Sequence, residues 1–142
     1  MTIARLIEGR IGGIVGCAAT DTVRSAVAVL SAKRIGALPV LDGAAIVGIL
    51  SERDIVKQLA VLGPALLDSS VGSIMTKPVV SIEPGHGVMD ALGLMTDRRF
   101  RHLPVVEDGR MVGFVSIGDL VKFRIEQVEA EAEAMRSYIQ SA

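Results

Sequence analysis

The sequence contains no tryptophan, one tyrosine and three phenylalanines, so aromatics are 3% of its 142 residues although half of them are hydrophobic. Its core must therefore be built from Val, Leu, Ile, Ala and Met, which suits an α/β protein of close-packed aliphatic side chains. A single cysteine, Cys17, excludes an internal disulfide. The 15 basic and 16 acidic residues leave a formal charge of −1. That balance excludes the strongly basic surface that binds nucleic acid phosphates without regard to sequence. Gly12, Gly13, Gly48 and Gly63 interrupt the apolar stretches well before the ~18 residues a membrane-spanning helix needs. Arg5, Glu8 and Arg10 break up what would have to be the apolar stretch of a signal peptide. A soluble, cytoplasmic protein is the expectation, and the length leaves no room for a multi-domain enzyme.

What is present is a repeat. Shifting the chain by 65 aligns Ile14–Gln58 with Val79–Phe123 without a gap, and 13 of the 45 positions are identical. The matches include Leu38-Pro39-Val40 with Leu103-Pro104-Val105, Gly48 with Gly113, Ser51 with Ser116 and Asp54 with Asp119. In each copy, apolar residues at i, i+3, i+4 and i+7 (Val23, Ala26, Val27, Leu30; Val88, Ala91, Leu92, Met95) predict a helix. A short apolar run precedes each helix (Ile14–Ala18, Val79–Ile82) and two β-branched runs follow it. Asp42-Gly43 and Asp108-Gly109 supply the turns between those runs. A second helix starts after Ser51 and after Ser116.

The unit is thus βαββα, and the fold expected is α/β (α+β): two pseudo-symmetric modules packed together, because a single unit of about 50 residues buries too little to stand alone. Gly63-Pro64 and Asp68-Ser69-Ser70 mark the link between them. The expected division is residues 1–66 for the first module with the N-terminal segment, 67–125 for the second, and 126–142 for a C-terminal amphipathic helix. Along that helix Val121, Ile125, Val128, Ala132, Met135 and Ile139 form an a/d heptad seam, with charged residues on the other faces. The seam either packs back on its own module or joins two copies in a homodimer.

The segments Gly48–Asp54 and Gly113–Asp119 each end a strand and open a helix. A helix N-terminus offers unpaired N–H groups and the positive end of the macrodipole, and a glycine lets a ligand approach the backbone. A serine hydroxyl there can meet a phosphate, and a carboxylate one turn on can accept from vicinal hydroxyls. Ser-x-x-Asp is equally close to a capping box, in which both residues serve the helix alone. Pro39 and Pro104 remove a backbone donor and leave a strand edge open to something other than a strand.

These residues resemble a family. Val-x-x-Ala at 23–26 and 88–91, and the run Arg101-His102-Leu103-Pro104-Val105-Val106-Glu107-Asp108-Gly109-Arg110-Met111-Val112-Gly113-Phe114-Val115-Ser116-Ile117-Gly118-Asp119-Leu120, are similar to a cystathionine β-synthase (CBS) domain. The chain resembles a stand-alone tandem pair over residues 3–125. Ser51-Glu52-Arg53-Asp54, with an acidic C-terminal helix reaching Tyr138-Ile139, is similar to a bacterial subgroup. The resemblance implies a non-catalytic signal-transduction module that binds AMP, ADP, ATP, NAD(H) or S-adenosylmethionine in clefts between modules, and that dimerises into a disc. It implies that Asp54 and Asp119 hold ribose hydroxyls and that Ser51 and Ser116 contact phosphate, with Arg53 beside them. Ala37, Leu38 and Pro39, and His102, Leu103 and Pro104, would edge the adenine through backbone groups. Thr76 and Val79 would close over the base.

The copies differ in charge. The second has Arg98, Arg99, Arg101, His102 and Arg110 where the first has Lys33, Arg34, Gly36, Ala37 and Ala45. The expectation is two unequal sites, the second copy's cleft taking more negative charge, with Arg101 and His102 at the ligand. Arg98 and Arg99 either join them or only complement a helix dipole. No motif joins Cys17 to His86 or His102, and no cluster has zinc-ligand spacing. A dimerisation scaffold without a ligand is the rival reading, and a nucleotide-processing enzyme ranks last.

Overall fold

The computed structural model describes residues 2–8 and 14–141. Element order is α1 (Ile3–Glu8), α2 (Val23–Lys33), β1 (Ala37–Asp42), β2 (Ala45–Ser51), α3 (Glu52–Leu62), a 3-10 turn (Gly63–Asp68), α4 (Val71–Ile74), α5 (Val88–Arg98), β3 (His102–Glu107), β4 (Arg110–Ser116) and α6 (Ile117–Ser141). The two helices expected from apolar spacing are α2 and α5. Thr22 caps α2 by accepting from the Ser25 amide, whereas Gly87 at the start of α5 offers no side chain to do so.

Each half holds one antiparallel hairpin, β1–β2 and β3–β4, with a register shift at the same repeat position, Val40/Leu41 and Val105/Val106. The turns are Gly43-Ala44 and Asp108-Gly109; the first lies one residue later than expected, with Gly43 at φ 63°. The predicted leading strand of each unit shrinks to a single parallel bridge, Cys17 to Val40 and Ile82 to Val105. These bridges use the carbonyls of Pro39 and Pro104, which accept from the amides of Cys17 and Ile82. The edge that proline was expected to leave open is therefore taken by the chain itself.

The packing crosses the expected division of the chain in both directions. Ile3, fully buried on α1, belongs to the second module's core with Val88, Met95, Leu103, Val105, Val115 and Leu120. In return Val71, with Ile74 and Met75 beside it, packs into the first module's core with Ala26, Leu30, Leu38, Val40 and Leu50. Backbone bonds repeat the exchange: Ile3 and Ala4 amides donate to His86 and Pro84 carbonyls, while Val71 and Gly72 amides donate to Asp21 and Ala19 carbonyls. Each half is completed by the segment leading into the other, because a single two-stranded hairpin leaves one core face uncovered in each.

The C-terminal extension continues the helix that opens after Ser116: α6 runs unbroken from Ile117 for 25 residues, about 37 Å at 1.5 Å per residue. Only Leu120 on it is buried, and every described residue from Val128 onward is exposed. The seam does not fold back on its own module. Among the described residues, no helix is long and apolar enough to cross a membrane.

Ile3→Ala removes a wholly buried side chain and should cost about 2–5 kcal/mol in denaturant unfolding. Hydrogen exchange should show the loss of protection concentrated in β3 and β4 and not in β1 and β2, since Ile3 packs with the second module's core alone.

Candidate functional site

Each hairpin's second strand runs directly into a helix, so Ser51 and Ser116 fall at helix starts by construction. Ser51 is extended (φ −115°, ψ 163°), the backbone form an N-cap requires. The Asp54 amide donates to its Oγ at 3.3 Å, while Asp54 Oδ2 accepts from the Ser51 amide at 2.9 Å and from the Ser51 hydroxyl at 3.0 Å. Asp119 and Ser116 repeat the backbone bonds at 2.8 and 3.1 Å. Both Ser-x-x-Asp motifs are thus complete reciprocal caps.

The first motif has something more. Thr76 Oγ1 donates to Asp54 Oδ1 at 2.8 Å, which fixes the second carboxylate oxygen toward a cavity of about 910 Å³ between the modules. The repeat partner of Thr76 is Ile11, which has no hydroxyl and lies outside the described residues. Thr76 is held there because its backbone pairs with Ile49 in both directions.

Ser51, Arg53, Asp54, Thr76 and Val79 line the first cavity together with Arg101 and His102 from the opposite half. Ala37, Ser116 and Asp119 line a second cavity of about 830 Å³, and His102 borders both. The expected adenine edges fare differently. Leu38 and Leu103 are fully buried in the two cores and Pro39 and Pro104 are buried beside them; none of the four lines either cavity. The first cavity also includes Val80, and the second Ile14, Val15 and Phe114. The 65-residue register pairs Ile14 and Val15 with Val79 and Val80, so the repeat itself was the signal for these walls.

Two expectations need correction. The glycines thought to admit a ligand are filled by the chain: a Cβ on Gly48 would strike the Met75 side chain, and one on Gly113 would come within 2.9 Å of Ile7. Their lack of a side chain serves the exchanged segments. The charge asymmetry is real but lies in the other cleft. Arg98, Arg99 and Arg101 reach across to the cavity of Asp54, while Lys33 and Arg34 reach the cavity of Asp119. Each half supplies cations to the other's site.

Arg34 and Arg99, identical under the repeat, both cap their helices in the left-handed region at φ 54° and 57°. This position ordinarily takes glycine, and a side chain there costs about 1–2 kcal/mol. His102 stacks on Phe114 with ring centroids 5.7 Å apart. Burial lowers its pKa, against the opposing pull of Asp119 and Glu52, which favours the neutral ring between the cavities. Burial pushes the Cys17 thiol up to about 11, with Asp21 adding to the effect, which favours the neutral thiol near pH 7. Among the described residues, no three His, Cys, Asp or Glu are grouped to hold a metal ion.

Known proteins share this architecture. The CBS domain family model matches residues 12–61 and 71–126. The mitochondrial CBS domain-containing protein CBSX3 of Arabidopsis thaliana is 37% identical over 134 residues, 91% of this chain and 65% of its own length. The chain thus spans a little under two thirds of that relative. A CBS-domain protein from Burkholderia ambifaria MC40-6 superposes with a TM-score of 0.82 at 36% identity, over 89% of this chain and 95% of that one. The crystal structure of CBSX2 in complex with AMP superposes at 0.75 with 25% identity, over 88% and 96% of the two chains. With the family model matched twice and the exchange of segments repeated in both halves, this chain belongs to the CBS domain family and carries the domain as a tandem pair.

Proposed function

We propose that the chain is a non-catalytic sensor that binds an adenine nucleotide in the clefts between its two modules. The observation that carries this reading is the Thr76–Asp54 bond, which leaves a carboxylate fixed over the larger cavity when helix capping alone would need only its other oxygen. Each carboxylate oxygen has two acceptor directions, so Asp54 Oδ1 can accept a ribose hydroxyl beside Thr76. Val79 and Val80 offer the apolar wall a base needs, and Ile14 and Val15 offer it in the second cavity. Phosphate would meet the α3 and α6 N-termini at Ser51 and Ser116. The AMP complex of CBSX2 supports the ligand class; AMP, ADP, ATP, NAD(H) and S-adenosylmethionine all carry the adenosine that this arrangement suits. Binding alters the pose of the modules, and a separate protein reads the change.

We further propose that the chain acts as a homodimer. Val121, Ile125, Val128, Met135 and Ile139 lie exposed along α6 at heptad spacing, and a second copy supplies a matching seam.

In a thermal melt, a ligand at 100 times its dissociation constant adds ~2.7 kcal/mol, which for a chain of this size raises Tm by about 5–10 °C. Asp54→Asn and Asp119→Asn should each remove part of the rise while leaving the unliganded protein within about 1 kcal/mol, the usual cost of a cap. Failure of every adenosine compound to move the melt would overturn the sensor reading and leave the scaffold. Sedimentation should give twice the monomer mass, reduced to the monomer by Val128→Glu together with Ile125→Glu; an unaltered mass in that variant would exclude the α6 seam.

A further inference from the structure

The two cavities differ in one property that their shared design does not require. Arg53 and Lys57 from α3 and Arg98, Arg99 and Arg101 from the opposite half line the Asp54 cavity, against the carboxylates of Glu52 and Asp54. Five cations against two anions leave a net lining charge of +3. Among the described residues, the Asp119 cavity has Lys33 and Arg34 against Asp119, a net of +1. Among the described residues, none of the five cations forms an ion pair, in a protein whose overall charge is −1. A single terminal phosphate carries about −1.5 to −2 and leaves the Asp54 cavity still positive. The repeat accounts for part of this, since Arg98 and Arg99 align with Lys33 and Arg34 and Lys57 with Lys122; the excess comes from Arg53 and Arg101, which align with Gly118 and Gly36. Arg99 keeps a left-handed backbone where glycine would be unstrained, as its repeat partner Arg34 does at the other cavity.

We propose that the Asp54 cavity selects an adenosine ligand with a chain of two or more phosphates, its tail held by Arg98, Arg99 and Arg101 of the other module, while the Asp119 cavity takes a ligand of lower charge. This rests on the adenosine reading above. A polyphosphate tail so held joins the ribose acceptor of one half to the guanidinium groups of the other, and thereby fixes the modules against each other. A monophosphate leaves those arginines in solvent.

Calorimetric titration of the full chain with ATP, AMP and inorganic tripolyphosphate tests this. ATP should bind the site that Asp54→Asn disables at least about tenfold more tightly than AMP, with the difference shrinking as salt rises. Arg99→Gly should weaken ATP about three- to tenfold and AMP hardly at all, without lowering the unliganded Tm, because glycine suits that backbone better. A purely helix-capping role for Arg99 predicts the opposite pair, a lower Tm and unchanged ATP binding. Arg34→Gly should leave the ATP preference intact. Equal affinity for ATP and AMP at the Asp54 site overturns the proposal while the adenosine reading stands. Arginine-dependent binding of tripolyphosphate with no nucleotide bound overturns the adenosine reading while the anion cleft stands.

Discussion

The structure depends on a reciprocal loan of hydrophobic segments. Neither half has enough chain in its own hairpin and helices to close its core, so α1 covers the second half and α4 covers the first. Burial of Ile3 and Val71 at zero exposure ties each half to a segment that leads into the other. The same exchange fills the space over Gly48 and Gly113 and brings Thr76, just past α4, against Asp54. Site geometry is thereby a by-product of how the cores are completed.

The fold was largely legible in the sequence because it is written twice. Helical spacing at Val23–Leu30 and Val88–Met95 located α2 and α5, and the paired β-branched runs located both hairpins. What could not be read was which half each connecting segment would join. Ile3 and Val71 are ordinary apolar residues, and nothing local distinguishes packing on the preceding core from packing on the following one. The leading strands were overcalled for a related reason: Ile14–Ala18 and Val79–Ile82 have β composition, but one bridge apiece is all that the proline-bearing strands can accept. The motif was enough to place the serines, aspartates, Thr76 and Val79 along the two cavities. The ownership of the arginines was not legible, since sequence neighbours of one cleft turn out to furnish the other.

That crossed ownership gives the clefts a common wall. His102 borders both cavities and stacks on Phe114, which lines only the second. A neutral ring at this place can donate to one side and accept from the other, so the proton's choice of nitrogen is linked to what lies on each side. The two cavities thus share one side chain as a wall.

The α6 helix has a mechanical meaning of its own. Its stretch from Val128 to Ser141 stands clear of the body, extending about 20 Å from the last point of packing. A rigid lever of that length magnifies small turns at its fulcrum. A module rotation of about 15°, ordinary for switching assemblies, would swing the tip through about 5 Å, roughly the pitch of one helical turn. Such a stroke is large enough to shift a docked surface by one full side-chain row, so a subtle change at the hub can be broadcast as a discrete step at the far end.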